Sequence, residues 1–315
     1  MSAALAASAI TENVKILQST GTANARSSLH PSLNHPCFSS GATLNHGRVH
    51  LPVSPVCNIQ CRFCKRSFNK FENRPGVSAR LLAPKDAVDL VKEALERCPD
   101  ITVAGIAGPG DTLATTHAIE TFALIHQAYP ALIKCLSTNG LLLERYAQDL
   151  AQVGVKTLTV TVNAVDPVIL HRICSHVMLD GKVYTGVEGA VFLISAQERG
   201  IQEAADIGFT IKINIVLIPG VNDTHIADIA RAAHDWGASI INIIPLIPQH
   251  EFAEYSAPDC DALSRAREAA EAYLPVFRHC QHCRADAIGI PGKGDFASLI
   301  YGENRTPIEE TFSHG

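Results

Sequence analysis

Cys57-Asn58-Ile59-Gln60-Cys61-Arg62-Phe63-Cys64 sets three cysteines at C-x3-C-x2-C spacing. Thiolates at that spacing can close around one face of a small iron–sulfur cube and ligate three of its four irons. The fourth iron is left without a protein ligand, and an open iron is where a cofactor or substrate can bind. A four-ligand electron carrier would want another cysteine close by, and the next one is Cys98. A zinc site would more usually show paired C-x2-C or Cys/His spacing with four protein ligands.

Outward from that loop the pattern becomes regular. Pro84-Lys85-Asp86 opens a helix whose apolar positions Val88, Val91, Leu95 and Cys98 recur at 3-4-3 spacing, which places Cys98 on the buried face. Strands are expected at 49–54, 101–108, 132–138, 157–163, 209–217 and 240–247, and helices at 117–128, 142–152, 188–199 and 223–235. Six strands alternating with helices argue for a parallel sheet built from βα units. Strand phase adds to this. Leu158, Val160 and Val162 alternate with Thr157, Thr159, Thr161 and Asn163, and Ile211, Ile213, Ile215 and Leu217 alternate with Thr210, Lys212, Asn214 and Val216. A parallel strand covered on both faces is nearly all apolar. Polar positions in one phase on several strands, with Asn139 and Asn242 as further candidates, indicate an incompletely closed barrel with a polar lumen. The alternative is strands lining a solvent-filled groove or an edge.

The flanks are less regular. Residues 1 to about 30 are rich in Ala, Ser, Thr and Asn and are expected to be mobile or loosely docked. Past residue 250 the barrel pattern stops, Asp259 to Tyr273 suits an amphipathic helix, and His279-Cys280-Gln281-His282-Cys283 follows. C-x2-C beside two histidines is a metal loop for which zinc is the simple assignment. Taken alone, Cys37 and His50 suit a surface thiol and a strand-end histidine.

Composition narrows the classes. A hydrophobic share of 47% against 18% charged supports a real core in 315 residues. A net charge of −5 offers no basic footprint for nucleic acid. No apolar run reaches the ~18 residues of a membrane span. The alanine-rich start lacks the basic region of a signal peptide. Ten cysteines, three of them in one ligand motif, suit a reducing cytoplasm better than a disulfide scaffold.

C-x3-C-x2-C with Phe63 before its last cysteine resembles the signature of radical S-adenosylmethionine (SAM) enzymes. The resemblance implies that Cys57, Cys61 and Cys64 hold a [4Fe-4S] cluster whose open iron chelates the amino and carboxylate groups of SAM. It implies reductive cleavage of SAM to methionine and a 5′-deoxyadenosyl radical. The fold implied is α/β, a partial (βα)6 TIM-like barrel over residues 49–250 with extensions at 1–48 and 251–315. In such folds site residues gather at the C-terminal ends of strands. Ala107-Gly108-Pro109-Gly110-Asp111 resembles the glycine-rich motif that meets the SAM amino group. Asn139, Thr161, Asn163 and Asn214 match positions facing SAM, and backbone near Ile215 matches an adenine contact.

A wider set of motifs carries a narrower resemblance. His35-Pro36-Cys37-Phe38, Arg48-Val49-His50, the cysteine loop, Glu72-Asn73-Arg74-Pro75-Gly76, the glycine loop, Ser137-Thr138-Asn139-Gly140, Ile218-Pro219-Gly220-Val221-Asn222-Asp223 and Cys283-Arg284-Ala285-Asp286 together resemble the NifB family over about residues 35–292. These are the radical SAM maturases of the nitrogenase cofactor. The resemblance implies three [4Fe-4S] clusters, one radical SAM cluster and two substrate clusters. The two are fused, with a SAM-derived carbide and an added sulfur, into an eight-iron cofactor. By the same resemblance Cys37, His50 and Cys135 hold one substrate cluster, and Cys280 and Cys283 hold the other. Many relatives have another cysteine shortly after the motif. Ser67-Phe68-Asn69-Lys70-Phe71 has none, which leaves Glu72 or an open iron for the second substrate cluster. The chain is expected to be the short form, without the carrier domain that some relatives append. Implied partners are iron–sulfur cluster donors, an electron donor, and a cofactor carrier or assembly scaffold. Rival assignments are a radical SAM enzyme with auxiliary clusters acting on a peptide or small molecule, and a non-catalytic cluster carrier or zinc scaffold. Cys98, Cys174 and Cys260 are expected to be structural, while His171 and His176 have no assignment.

Overall fold

Alternating strands fold so that one phase meets helices and the other meets a lumen. The computed structural model describes residues 31–302, so the expectation for residues 1–30 lies outside the described part. Six parallel strands lie side by side in chain order: β1 (Gly47–His50), β2 (Ile101–Ile106), β3 (Ile133–Thr138), β4 (Val155–Thr161), β5 (Thr210–Leu217) and β6 (Ile240–Pro245). A two-residue strand, β7 (Ile288–Gly289), pairs antiparallel on the far side of β1. Strands β6 and β7 are the two edges, and they do not pair with each other. The sheet is a partial barrel.

Among the described residues the α-helices of five residues or more are α1 (Pro84–Arg97), α2 (His117–Ala128), α3 (Leu143–Gln152), α4 (Pro167–Ile173), α5 (Gly186–Ile207), α6 (Ile226–Asp235), α7 (Cys260–Glu271) and α8 (Ala297–Tyr301). The apolar strand phase, with Leu158, Val160, Ile211, Ile213, Ile215 and Ile243, packs in one cluster with Leu90, Phe122, Ile125, Leu150 and Ile229 of the helices. Each such side chain, fully withdrawn from water, contributes about 1.5–3 kcal/mol. Cys98 is buried in the same cluster, as its place on the helix stripe requires.

Three features depart from the sequence-based expectation. The first strand was expected at 49–54, but its ladder ends at His50. Pro52 and Pro55 have no N–H to donate, so past the Leu51 N–H, which still reaches Gly105 O, the chain runs on extended with an isolated bridge from Ser54 to Pro109. The fifth helix runs from Gly186 for 22 residues, well past 199, and ends where Gly208 turns left-handed at φ 96°. The unassigned stretch before it forms α4 and then a hairpin, Cys174–Leu179 with Lys182–Thr185. Its two-residue turn is Asp180-Gly181, both at positive φ, the signature of a tight hairpin.

The C-terminal segment closes the gap in the barrel. After α7, Ile241 and the chain at 275–277 exchange backbone hydrogen bonds, so the segment joins the free edge of β6. It then crosses to β7 at the other edge, and Cys280 and Cys283 lie on the crossing. Among the described residues no helix is long and apolar enough to cross a membrane.

Candidate active site

The cysteine loop is held from several sides. From the glycine loop, the Gly110 N–H donates to Ser54 O at 2.9 Å and the Asp111 N–H to Val56 O at 2.8 Å. A Cβ on Gly110 would fall 2.0 Å from the Val56 carbonyl oxygen, so that approach requires glycine. The buried Asp111 carboxylate accepts from the Leu113 N–H (3.0 Å), the Asn139 N–H (2.6 Å) and the Thr138 hydroxyl (3.0 Å). Burial pushes its pKa up, and these donors oppose the rise. The Asn139 side chain accepts from the Leu141 N–H, which aims its Nδ2 at Asn58 Oδ1 (2.6 Å) and within 3.8 Å of Cys57 Sγ. On the opposite side Ile59–Cys61 pairs with the Cys174–Leu179 strand, with a bulge between Gln60 and Cys61. Gln60 Nε2 donates to the carbonyls of Cys61 (2.9 Å) and Cys64 (3.1 Å), and Arg62 pairs with Glu251.

Cys57, Cys61 and Cys64 are half-buried and border a cavity of about 350 Å³. Burial pushes the Cys57 thiol up to about 11 and also holds the Cys61 thiol well above its usual range. The metal-free thiols of Cys57 and Cys61 therefore keep their protons until iron displaces them. The cavity's far wall is the polar strand phase, including Thr159, Thr161, Asn163, Lys212, Asn214 and Asn242. Asn163 accepts from the Val216 N–H and Asn242 donates to Asn214, both at 2.9 Å. Gln197 on α5 donates to the carbonyls of Asn139 (2.7 Å) and Thr161 (3.0 Å), tying two strand ends together. The Ile215 side chain lies in the outer core, so that only its backbone is available on this side. Gly108 does not border the cavity, whereas Pro109, Gly110 and Asp111 do.

Deeper in the barrel the same cavity is bordered by Cys37, His50, Cys135, Cys280 and Cys283. Cys135 is the third residue of β3, and the absence of a side chain on Gly105 leaves room for the His50 ring, 3.1 Å from where that Cβ would be. His50 Nδ1 donates to Arg284 O at 3.0 Å, and burial lowers its pKa to about 4. It is thus a neutral imidazole with its Nε2 lone pair available to a metal. Burial pushes Cys37 up to about 12 and also raises Cys135. The buried Arg48 donates from Nη2 to Cys283 Sγ at 3.1 Å. His35, beside Cys37, accepts the Cys37 N–H on Nδ1, and its buried Nε2 has no partner.

The Cys280–Cys283 loop is anchored by Arg284. Its guanidinium pairs with the buried Asp286 and donates to Glu72 O (2.6 Å) and Asn69 O (2.7 Å). Asp286 in turn accepts the Ala79 N–H at 2.5 Å. The Glu72 carboxylate is engaged by Arg74 and the Ser67 hydroxyl, and Glu72 does not border the cavity. Several cavity residues, among them Arg48, Arg66, Gln197 and Cys174, were not among the sequence-based site candidates. Cys174, expected to be structural, is buried beside Cys61 on the paired strand and borders the cavity. Only the long-range pairing with Ile59–Cys61 puts it there; the Asp-Gly turn signals the hairpin with Lys182–Thr185 and not that pairing. His171 and His176 do not border the cavity, and Cys260 is exposed at the start of α7.

The donor set suits iron–sulfur ligation: soft thiolates, one neutral imidazole and a preformed cavity. Among the described residues no three His, Cys, Asp or Glu side chains converge as around a single ion. A cube offers its irons to separate ligands and does not need that convergence.

The radical SAM superfamily matches residues 51–233. The FeMo cofactor biosynthesis protein NifB of Methanocaldococcus infernus is 50% identical over 258 residues, which is 81% of this chain and 85% of that protein. NifB of Methanocaldococcus jannaschii is 49% identical over 83% of this chain and 87% of its own length. NifB of Klebsiella pneumoniae is 42% identical over 82% of this chain and 57% of its own length. Among solved structures, Streptococcus suis SuiB bound to S-adenosylmethionine superposes with a TM-score of 0.55 at 14% identity, covering 75% of this chain and 51% of that one. That likeness is one of fold. The chain belongs to the radical SAM superfamily and, within it, to the NifB proteins of FeMo cofactor biosynthesis.

Proposed function

We propose that the chain fuses two [4Fe-4S] substrate clusters, with a carbide taken from SAM and an added sulfur, into the eight-iron precursor of the nitrogenase cofactor. One observation carries this. A single cavity is bordered at one end by Cys57, Cys61 and Cys64 and deeper by Cys37, His50, Cys135, Cys280 and Cys283.

In this proposal Cys57, Cys61 and Cys64 hold the resident [4Fe-4S] cluster, which supplies the electron that cleaves SAM. The loop at Gly108, Gly110 and Asp111 keeps that cysteine loop rigid. Asn139, Thr161, Asn163, Asn214 and the backbone at Ile215 line the space SAM would fill. Cys37 and Cys280–Cys283, on the extensions at 1–48 and 251–315, reach into the barrel of residues 49–250. Cys37, His50 and Cys135 hold one substrate cluster. Cys280 and Cys283 hold the second, and Glu72 becomes its oxygen ligand only by leaving Arg74 and Ser67. One SAM gives a methyl group to a sulfide of a substrate cluster. A second SAM, cleaved by one electron to methionine and a 5′-deoxyadenosyl radical, would supply the radical that takes a hydrogen atom from that methyl. The radical leaves as 5′-deoxyadenosine, so that carbon can enter the joined clusters. Iron–sulfur donors and an electron donor in a reducing cytoplasm feed the site, and a carrier or scaffold takes the product.

Iron analysis after anaerobic reconstitution tests the cluster count. About twelve irons per chain are expected, and about four would overturn the proposal. With all clusters present, the protein plus SAM should activate cofactor-deficient nitrogenase. Failure to do so would overturn the activity.

A further inference from the structure

Lys212 is the third residue of β5, a strand paired on both sides, and its side chain enters the lumen. It is 5% exposed. Lysine is almost never this buried without a counter-charge. Its ammonium donates to Cys37 O at 2.9 Å and lies over the rings of Phe38 (4.8 Å) and Phe277 (5.3 Å). Those are its partners among the described residues, and none is a carboxylate. An ammonium has three N–H groups, and one of them is used by the carbonyl. Ring faces stabilise a cation, but they do not neutralise it.

Another buried lysine gives the comparison. Lys134 is one residue out of phase with Cys135, does not border the cavity, and donates to Pro130 O of its own connection at 3.2 Å. It belongs to the wall. Lys212 is in the lumen phase, beside Cys37 and on the same cavity as Cys135 and His50. A positive charge fixed there, with donors unspent, matches an anionic ligand rich in sulfur acceptors.

We propose that Lys212 is the counter-cation of the substrate cluster at Cys37, His50 and Cys135, donating its free N–H groups to that cluster's sulfur atoms and fixing its position. This rests on the ligand assignment proposed above. Lys212 is a positioning residue, and its charge also favours the more negative, reduced state of the cluster.

The test compares wild type, Lys212→Gln and Lys212→Arg, each full-length and anaerobically reconstituted. Iron loss to a chelator and the reduction potential of the deep cluster, followed by electron paramagnetic resonance, are the readouts. Glutamine keeps a donor for Cys37 O but removes the charge. Iron should leave the deep site at least about ten-fold faster in that variant, and the potential should fall. Arginine should hold both near wild type. The signal of the Cys57–Cys61–Cys64 cluster, and its change on adding SAM, reports whether each variant is folded. A folded glutamine variant with wild-type iron retention and potential overturns the proposal. So does an arginine variant whose potential falls as far as glutamine's. Wild-type protein that loads only about four irons refutes the underlying ligand assignment instead, a result distinct from failure of Lys212 alone.

Discussion

The two ends of the cavity are built in different ways. At the mouth, three thiols lie within eight residues of one loop, and backbone bonds from the glycine loop and the Cys174–Leu179 strand hold that loop in place. Deeper in, Cys37, His50, Cys135 and Cys283 come from four separate segments. They meet only because the N-terminal turn, β1, β3 and the crossing segment all face one lumen. A local site can be preorganised by a few neighbouring contacts, whereas a dispersed one depends on every element that delivers a ligand. The mouth should therefore survive damage to the extensions, and the deep end should not. Under the proposed function the deep end is also where ligation has to be reversible, since the substrate cluster proposed there would leave once it is built.

The sharpest way to break the comparison is to empty one end at a time. Replacing Cys57, Cys61 and Cys64 together by alanine should abolish SAM cleavage and remove about four irons, leaving the deep irons in place. Replacing Cys37, His50 and Cys135 should remove a similar number while the mouth cluster keeps its SAM-sensitive resonance signal. If either triple substitution empties both ends, the two are not independent.

Single struts come next. Arg284→Met leaves the buried Asp286 carboxylate without its partner and frees the backbone at Asn69 and Glu72. Breaking such a pair costs about 3–5 kcal/mol. Chemical denaturation of the metal-free protein should show that loss, and the reconstituted protein should lose iron first at Cys280 and Cys283. Gly110→Ala acts on the other end, because its Cβ would collide with the Val56 carbonyl at 2.0 Å. Strain of about 1–3 kcal/mol is expected. Displacement of the cysteine loop should lower SAM cleavage while deep iron content stays near wild type. A Gly110→Ala variant with wild-type SAM cleavage would mean that the glycine loop does not position the mouth.

The same contrast governs what could be read in advance. The mouth motif is local, so spacing alone revealed it. Strand phase revealed the lumen, because Thr159 and Thr161 alternate with Leu158 and Val160 over a few residues, and Cys135 shares the phase of Asn139. Cys37, His50 and Cys283 carry no local signal of convergence. Family resemblance assigned Cys37 and His50 to one cluster and Cys283 to another, and the fold brings all three to one cavity. Edge strand β7 is two residues long, too short for periodicity to register. The hold of Arg284 on Asn69 and Glu72 joins residues more than 200 positions apart, and no sequence window contains both. Lys212 was visible only as a polar interruption, since an alternation pattern does not say which inward residue will lack a counter-charge.

Cys174 gives the smallest expected effect and the finest discrimination. It sits opposite Cys61 across the bulged pair, and its thiol donates to His176 O at 3.3 Å. Burial pushes its pKa up to about 12, so without a metal it stays a neutral thiol beside the three cysteines of the loop. Two roles compete. As a fourth ligand it would close the iron that SAM must reach, and as packing it would only seat the hairpin against the cysteine loop. Its own hydrogen bond and its place on a regular strand favour packing. A serine there can keep the donor to His176 O, so Cys174→Ser should cost about 1 kcal/mol or less. Iron content and SAM cleavage should stay within about two-fold of wild type, a margin of under 1 kcal/mol in the barrier. Loss of one cluster's iron in this variant, with the deep irons intact, would make Cys174 a ligand and remove the open coordination site from the mouth.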